Sequence, residues 1–507
     1  MDQDLVSRQE VRDLCKKATE AQKLFSRASQ SEVDTICEAM ARAGYKAARK
    51  LAELAVANTG MGKVEDKITK NEFASRDLWE IYRDFKTVGP IEIDRRGKHT
   101  IIAEPMGLVA AIIPTTNPTS TAIYKSIVSV KSRNAVIASP HPHAGECTIE
   151  AMRIMADAAE KAGAPEGLIG CVAHPSIRAA KELMEHPLVH IILSTGGRAI
   201  VRAAHSTGKP AIGVGPGNVP AFIERSANIE KAVHDIITGK SFDWGVICSS
   251  EQAMIVDRSI EKRVLAAIKN EPVYWVRGEQ RTMLENHMVA DDGSLNTAIV
   301  GQAPVKIAAA AGFDVPESTQ VLLVEQDGVG KEFKLSREKL SPVLAYYTVG
   351  SSEEGISLAE KIVEYGGVGH TSVIHSSDKH VIHEFASRIR TFRVLVNTPS
   401  PHGSVGYSTN LDPGLTLGCG TWGGTITGDN ITPLHLINRK HLAWETTAVD
   451  GYGGMDRDFT SRRGNYSKYD DVSLPTGTVQ RAATDKELDL DKVEQLARDF
   501  KASMDRQ

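Results

Sequence analysis

Leu108-Val109-Ala110-Ala111-Ile112-Ile113-Pro114-Thr115-Thr116-Asn117-Pro118-Thr119-Ser120 is a six-residue apolar run that stops at a polar turn bounded by prolines. An unbroken apolar run of this length suits a strand buried on both faces, whereas a half-exposed strand would alternate. The pattern predicts a strand over 108–113, a turn over 114–120 and a helix over 121–129. The same order then repeats. Ala135-Val136-Ile137-Ala138 reads as a second strand, ending at Ser139-Pro140-His141-Pro142-His143 before a helix over about 145–162. Residues 168–172 are a third strand. Val189-His190-Ile191-Ile192-Leu193 is a fourth, followed by Ser194-Thr195-Gly196-Gly197 and a helix from Arg198. Short strands alternating with helices give a parallel, doubly wound sheet. Ligands of such sheets sit beyond the carboxyl ends of the strands. The turns at 114–120, 139–143 and 194–197 are therefore expected to line one crevice, which gathers Thr115, Thr116, Asn117, Ser139, Pro140, Ser194, Thr195, Gly196 and Gly197.

Outward from this core, residues 5–58 carry helical periodicity, with Val11, Leu14, Cys15 and Ala18 at i, i+3, i+4 and i+7. Residues 91–103 alternate about Gly97 and read as a hairpin. The α/β pattern restarts after Asn218. A helix over 227–240 leads to the loop holding Cys248, strands follow near 253–256 and 321–324, and a helix near 357–365 ends at the glycine-rich loop Gly366-Gly367-Val368-Gly369-His370. Residues 394–396 read as another strand. The expected architecture is two doubly wound α/β domains facing across a cleft, over 1–226 (with a hairpin arm at about 88–104) and 227–415. Residues 416–450 are expected to return to the first domain and its arm. Residues 451–507 read as a glycine-rich linker and a final helix. That helix opens with the capping box Thr484-Asp485-Lys486-Glu487 and carries an apolar stripe at Val493, Leu496, Ala497, Phe500 and Met504.

Composition narrows the classes of function. The 507 residues are 41% hydrophobic and 24% charged with a net charge of −4, which offers nothing to nucleic acid or to an anionic membrane. Six widely spaced cysteines form neither a metal-binding pair pattern nor a disulfide framework, so no metal site and a reducing cytoplasm are expected. The first residues resemble no secretory signal, and the longest apolar run is far too short to span a bilayer.

Three stretches carry chemistry. In Ser241-Phe242-Asp243-Trp244-Gly245-Val246-Ile247-Cys248-Ser249-Ser250-Glu251-Gln252, a thiol sits on a small-residue turn ahead of an apolar run, where a substrate can reach it. Asn117 lies at a strand's carboxyl end between two prolines. Its amide can donate to a developing oxyanion, or it can simply cap the next helix. Ser194-Thr195-Gly196-Gly197 opens a helix whose N–H groups can meet a pyrophosphate, although a structural tight turn looks the same in sequence. His370, among glycines, can reach a cleft and move protons near neutral pH, or it is a hydrogen-bonded surface residue. For Glu338 the sequence allows a solvated surface position.

Together with Gly213-Val214-Gly215-Pro216-Gly217-Asn218-Val219-Pro220 and Thr416-Leu417-Gly418-Cys419-Gly420-Thr421-Trp422-Gly423-Gly424, these stretches resemble the aldehyde dehydrogenase superfamily, and within it the CoA-acylating branch. The resemblance runs over about residues 5–445. It implies a nicotinamide-binding domain, a catalytic domain and a small β oligomerisation arm. It makes Cys248 the nucleophile and Asn117 the oxyanion donor, puts Thr195, Gly196, Gly197 and Gly215 near the cofactor, and gives Glu338 the nicotinamide ribose. The implied reaction takes a short-chain aldehyde, NAD and CoA to an acyl-CoA, in a homodimer or homotetramer. A sulfoacetaldehyde substrate is the alternative. Hydrolytic relatives carry a glutamate where this sequence has Val214, and a lysine where it has Ser139-Pro140-His141-Pro142, which leaves NAD against NADP open. The final helix suggests either docking within the oligomer or recruitment to the shell of a bacterial microcompartment.

Overall fold

The structure, a computed structural model, describes residues 3–94, 97–290 and 293–445. The long helical stretch at the start divides into α1 (Gln3–Phe25), α2 (Gln30–Lys46) and α3 (Ala48–Thr59). The breaks have local causes. Ser29 caps α2 reciprocally with Glu32, and α3 stops at Gly60, whose φ of 69° suits glycine. Two shorter helices follow, α4 (Val64–Glu72) and α5 (Leu78–Tyr82). Strands β1 (Gly89–Ile93) and β2 (His99–Pro105) form the expected hairpin.

The stretch around Leu108 behaves as its composition requires. Strand β3 (Leu108–Ile113) is buried at every residue and lies at the centre of a five-stranded sheet. Its neighbours are β4 (Ala135–Pro140), β5 (Ile169–Cys171), β6 (Val189–Thr195) and β7 (Ala211–Val214), in the order β5-β4-β3-β6-β7 with every pairing parallel. The chain builds outward from β3 to one side and then returns to the other, so the β3/β6 boundary is the switch point of the sheet. Helices α6 (Pro118–Lys131), α7 (Gly145–Lys161), α8 (Ile177–Glu185) and α9 (Arg198–His205) make the connections. Helix α6 begins three residues earlier than the apolar pattern suggests, because Pro118 at its first position already has the helical φ and needs no N–H partner. Ser194 and Thr195 likewise extend β6 instead of forming a turn.

Four residues after β7, β8 (Val219–Ile223) enters a second sheet. With β9 (Glu251–Asp257), β10 (Val273–Val276), β11 (Val321–Glu325), β12 (Val343–Val349), β13 (Gly369–His375) and β14 (Thr391–Val396), it forms seven parallel strands in the order β10-β11-β12-β9-β8-β13-β14. Helix α10 (Ile229–Ser241) runs up to the Cys248 loop. One expectation is corrected here. The helix Ser352–Gly366 is followed within two residues by β13, so His370 belongs to a strand and is buried, not on a glycine-rich loop. The segment after residue 415 packs Leu417, Cys419, Ile431 and Leu436 into the core of the first sheet. Strand β15 (Ile437–Ala443) then adds antiparallel to β2, completing the three-stranded arm β1-β2-β15. The expected helix beyond Thr484 lies outside the described residues. No helix among the described residues is long and apolar enough to cross a membrane.

Candidate active site

Cys248 sits in a turn closed by the Ser250 N–H to the Ile247 carbonyl (2.9 Å), immediately before β9. The turn is preceded by Asp243, Trp244 and Gly245, all left-handed, with φ of 49°, 53° and 69°. Two consecutive non-glycine residues there cost about 1–2 kcal/mol each and persist only where neighbours hold them. Gly217 pins the other side. A Cβ on it would lie 1.9 Å from the Cys248 carbonyl oxygen and 3.3 Å from the His370 ring, so glycine is the residue that fits. The Gly217 N–H donates to Glu338 Oε1 at 3.0 Å, which brings that carboxylate to the same place.

Burial pushes the Cys248 thiol up to about 12, with the Glu338 carboxylate and Cys419 adding to the effect and the Arg393 guanidinium opposing it. The thiol is therefore neutral near pH 7 in the unliganded protein. No helix N-terminus follows Cys248 to activate it, since the turn leads straight into β9. Arg393 is a cation no motif pointed to. It is buried on β14 and donates to the Gly418 and Gly428 carbonyls (2.5 and 2.8 Å), so it ties the 416–430 segment to the sheet beside the thiol.

Asn117 stands at the N-cap position of α6, yet its side chain makes no cap hydrogen bond. Its oxygen accepts instead from the Lys70 ammonium at 2.5 Å, and its Nδ2 donates to Thr116 Oγ1 at 3.1 Å. Lys70 also contacts the buried Asp243 carboxylate, as does Lys67 at 3.0 Å. Lys67 reaches the Thr116 carbonyl as well, at 3.1 Å. Burial alone would raise the Asp243 carboxyl, but the two lysines outweigh it and hold it below its ordinary value. Burial lowers Lys70 to about 8, with Asp243 opposing. The oxyanion candidate and the cysteine turn are thus joined through Lys70 and Asp243.

The carboxyl edge of the first sheet is lined by unspent polar atoms. Ser139 Oγ at the end of β4, and Ser194 Oγ and Thr195 Oγ1 at the end of β6, are buried without hydrogen-bond partners among the described residues. Buried hydroxyls of this kind await a ligand or ordered water, and they lie at the switch point where doubly wound sheets take theirs. Lys125 forms the floor, donating to the Ile112 and Leu193 carbonyls at 2.8 Å each. The residues present fit a nicotinamide cofactor. Thr195 pairs in register with Val214, and Gly215 follows with its Cα side 3.9 Å (from an added Cβ) from the Cys419 sulfur. The edge therefore runs toward the cysteine.

His370 is fully buried beside Gly217. Its Nδ1 meets Thr371 Oγ1 at 2.9 Å, and its Nε2 has no partner among the described residues. Burial drives its pKa well below the usual value, with Arg393 adding to that, so the ring is neutral at pH 7. Among the described residues, no group of three His, Cys, Asp or Glu is placed to hold a metal ion.

The profile of the aldehyde dehydrogenase family matches residues 2–283. The chain belongs to that family. It is 44% identical over 439 residues to the bifunctional aldehyde-alcohol dehydrogenase AdhE of Escherichia coli K12, an alignment that takes in 86% of this chain and 49% of that protein. The chain spans about half the length of the curated relatives it matches first. An acetylating aldehyde dehydrogenase from Geobacillus thermoglucosidasius superposes with a TM-score of 0.88 at 48% identity, covering 89% of this chain and all of that one. A propionaldehyde dehydrogenase from Rhodopseudomonas palustris, solved with bound CoA and an acylated cysteine, superposes at 0.77 with 28% identity over 85% of this chain and 96% of that one.

In this member of the family the structure gathers Cys248, Glu338, His370 and Gly215 around Gly217 and Cys419, and ties Asn117 and Thr116 to the cysteine turn through Lys70 and Asp243. Ser194 and Thr195 lie along the adjoining edge. Ser139 and Pro140 are on β4, across β3, and Gly196 and Gly197 lead into α9. Thr115 shares the turn with Thr116 but takes no part in the Lys70 network. Sequence reasoning missed Lys67, Lys70, Asp243 and Arg393. Lysines three apart on a short helix look like a solvated face, and only their contacts reveal buried cations.

Proposed function

We propose that the protein is a CoA-acylating aldehyde dehydrogenase, which converts a short-chain aldehyde of the acetaldehyde or propionaldehyde class, with NAD and CoA, to an acyl-CoA and NADH. The observation that carries the reading is the apolar Val214 in a chain that keeps Cys248. Where hydrolytic relatives place a glutamate against the thioester, this chain has an apolar side chain, 4% exposed and packed into the first core. A thioester on Cys248 then lacks a carboxylate base at that position and survives until a thiol attacks it.

Cys248 Sγ gives its proton to the neutral His370 Nε2, which passes it to water, as the sulfur bonds to the aldehyde carbon. The oxyanion so formed accepts from Asn117 Nδ2 and the Cys248 N–H; one such donor is worth about 3–4 kcal/mol. Ser139, Pro140, Ser194, Thr195 and the Gly196-Gly197 turn, with Thr115, Thr116, Gly215 and Glu338 alongside, would hold the nicotinamide cofactor, which would supply a hydride acceptor. Cys248 is then left as a thioester. His370, neutral and with an unpartnered Nε2, takes the proton of the CoA thiol as it displaces the Cys248 sulfur and forms the acyl-CoA. The bound CoA and acylated cysteine of the propionaldehyde dehydrogenase from Rhodopseudomonas palustris support this order of events.

In the same reading the chain works in the cytoplasm as a homodimer or homotetramer. The arm supports this assembly, since Leu442 on β15 and Trp444 just after it are exposed. The stripe between Val493 and Met504 is proposed to recruit the enzyme to a microcompartment shell. Deleting 484–507 is expected to leave kinetics and oligomeric mass unchanged and to abolish shell binding.

The deciding assay follows NADH and NADPH production from acetaldehyde, propionaldehyde and sulfoacetaldehyde with and without CoA. CoA-dependent turnover that yields acyl-CoA is expected. A CoA-independent rate that yields free acid would overturn the proposal.

A further inference from the structure

We propose that Lys70 is a positioning residue for the oxyanion donor: anchored on Asp243, its ammonium holds the Asn117 amide by the oxygen and turns the Nδ2 hydrogens toward the reacting carbonyl. The inference rests on the reading of Asn117 as that donor. An ammonium has only donors and an amide has one accepting end, so a Lys70 nitrogen 2.5 Å from Asn117 forces the amide oxygen toward it and the NH₂ away. Thr116 Oγ1 takes one Nδ2 hydrogen. The second has no protein partner among the described residues and is available to an incoming oxygen. A cation on the amide oxygen also draws electron density from the nitrogen, which makes its N–H the stronger donor.

The arrangement is built from one helix face. Lys63, Asp66, Lys67 and Lys70 stand at i, i+3, i+4 and i+7 at the start of and along α4. All four meet the strained turn ahead of Cys248. The Lys63 N–H donates to Asp243 Oδ1 at 2.7 Å, and the Asp243 N–H donates to Asp66 at 2.7 Å. Lys67 and Lys70 contact Asp243 Oδ2, and the Lys63 ammonium lies 4.5 Å from the centre of the Trp244 ring. A buried lysine needs a counter-charge, and Asp243 supplies it from the segment that leads to the nucleophile. A single face of α4 thus sets the aim of the donor and the shape of the nucleophile's turn. A salt bridge serving only as glue would not need its lysine to end on Asn117.

The test is a double-mutant cycle on the full chain, read as the rate constant of first-turnover NADH formation and as the split between kcat and KM. Asn117→Ala is expected to slow the first turnover by about 10²–10³-fold, the usual loss for one donor, and that sets the ceiling for anything acting through it. Lys70→Met should slow it by about 10–100-fold with KM for the aldehyde and NAD binding within about threefold. In the Asn117→Ala background, Lys70→Met should add less than about threefold. Multiplicative losses in the double variant would overturn the positioning role. An Asn117→Ala variant with unchanged first turnover would instead sink the oxyanion reading itself. Should Lys70→Met not fold, Lys70→Gln, which keeps a donor without the charge, enters the same cycle. Asn117→Asp gives an arm that needs no change at Lys70. Its carboxylate would face the ammonium, so Tm should stay at or above wild type while the first turnover slows as in Asn117→Ala. A marked fall in Tm would show that Lys70 does not hold that end of the side chain.

Discussion

Alkylation of Cys248 in the unliganded enzyme should be slow, and bound NAD should accelerate it. With its thiol raised from near 9 to about 12, chiefly by burial, Cys248 carries little thiolate at working pH. At pH 8 a thiol near 9 is about one-tenth ionised and one near 12 about one ten-thousandth, a deficit of roughly 10³-fold. The more basic thiolate recovers about 20-fold through its greater intrinsic nucleophilicity, at a Brønsted slope of 0.4–0.5 over three units. The net expectation is a rate about 50-fold below that of an exposed thiol such as glutathione, before any steric effect. The assay is iodoacetamide labelling at pH 8, with the Cys248 peptide followed by mass spectrometry, because five other cysteines share the chain. Each unit of pKa lowered by a cation brought near the sulfur multiplies the labelling rate by about ten before the Brønsted correction. Saturating NAD should therefore raise it several-fold or more. Labelling of the unliganded enzyme as fast as glutathione would refute the account of a half-buried, neutral thiol. No change with NAD would remove the cofactor as its activator.

Cys248→Ala is expected to abolish dehydrogenase activity while NAD binding, followed by calorimetry, stays within a few-fold; Cys147→Ser and Cys171→Ser should retain most activity. Val214→Glu should speed release of free acid from the pre-formed acyl-enzyme in the absence of CoA; an unchanged rate in a folded, acylating variant would mean that position 214 does not face the thioester. His375 is held down to about 3, by burial first and Lys231 second. Its folded pKa lies below its unfolded one, so the unfolded chain takes up a proton that the folded chain refuses. Stability is therefore lost as pH falls from 6.5 toward 3, by about 1.4 kcal/mol per unit, or about 2 kcal/mol at pH 5. Comparing denaturation midpoints at pH 7.5 and 5 for wild type and His375→Asn should show the variant losing less; equal losses would contradict this.

Features that depend on neighbours along the chain were legible in the residues alone. The unbroken apolar run of β3 and the alternation of strands with helices dictate a parallel sheet. Proline and glycine placement marks the turns at its carboxyl edge, and the small-residue turn ahead of an apolar run singles out Cys248. Tertiary structure alone decided what depends on contacts between distant segments. The burial of His370 follows from β13 starting at Gly369, which a run of glycines disguises as a loop. Whether Asn117 caps a helix or points elsewhere turned on Lys70, 47 residues away. The charge state of Cys248 depends first on its burial and then on Glu338, Cys419 and Arg393, brought in by three separate stretches of chain. Local periodicity records which face of an element is buried. The electrostatics of a site are set by which buried charges meet across elements, and no spacing along one element encodes that.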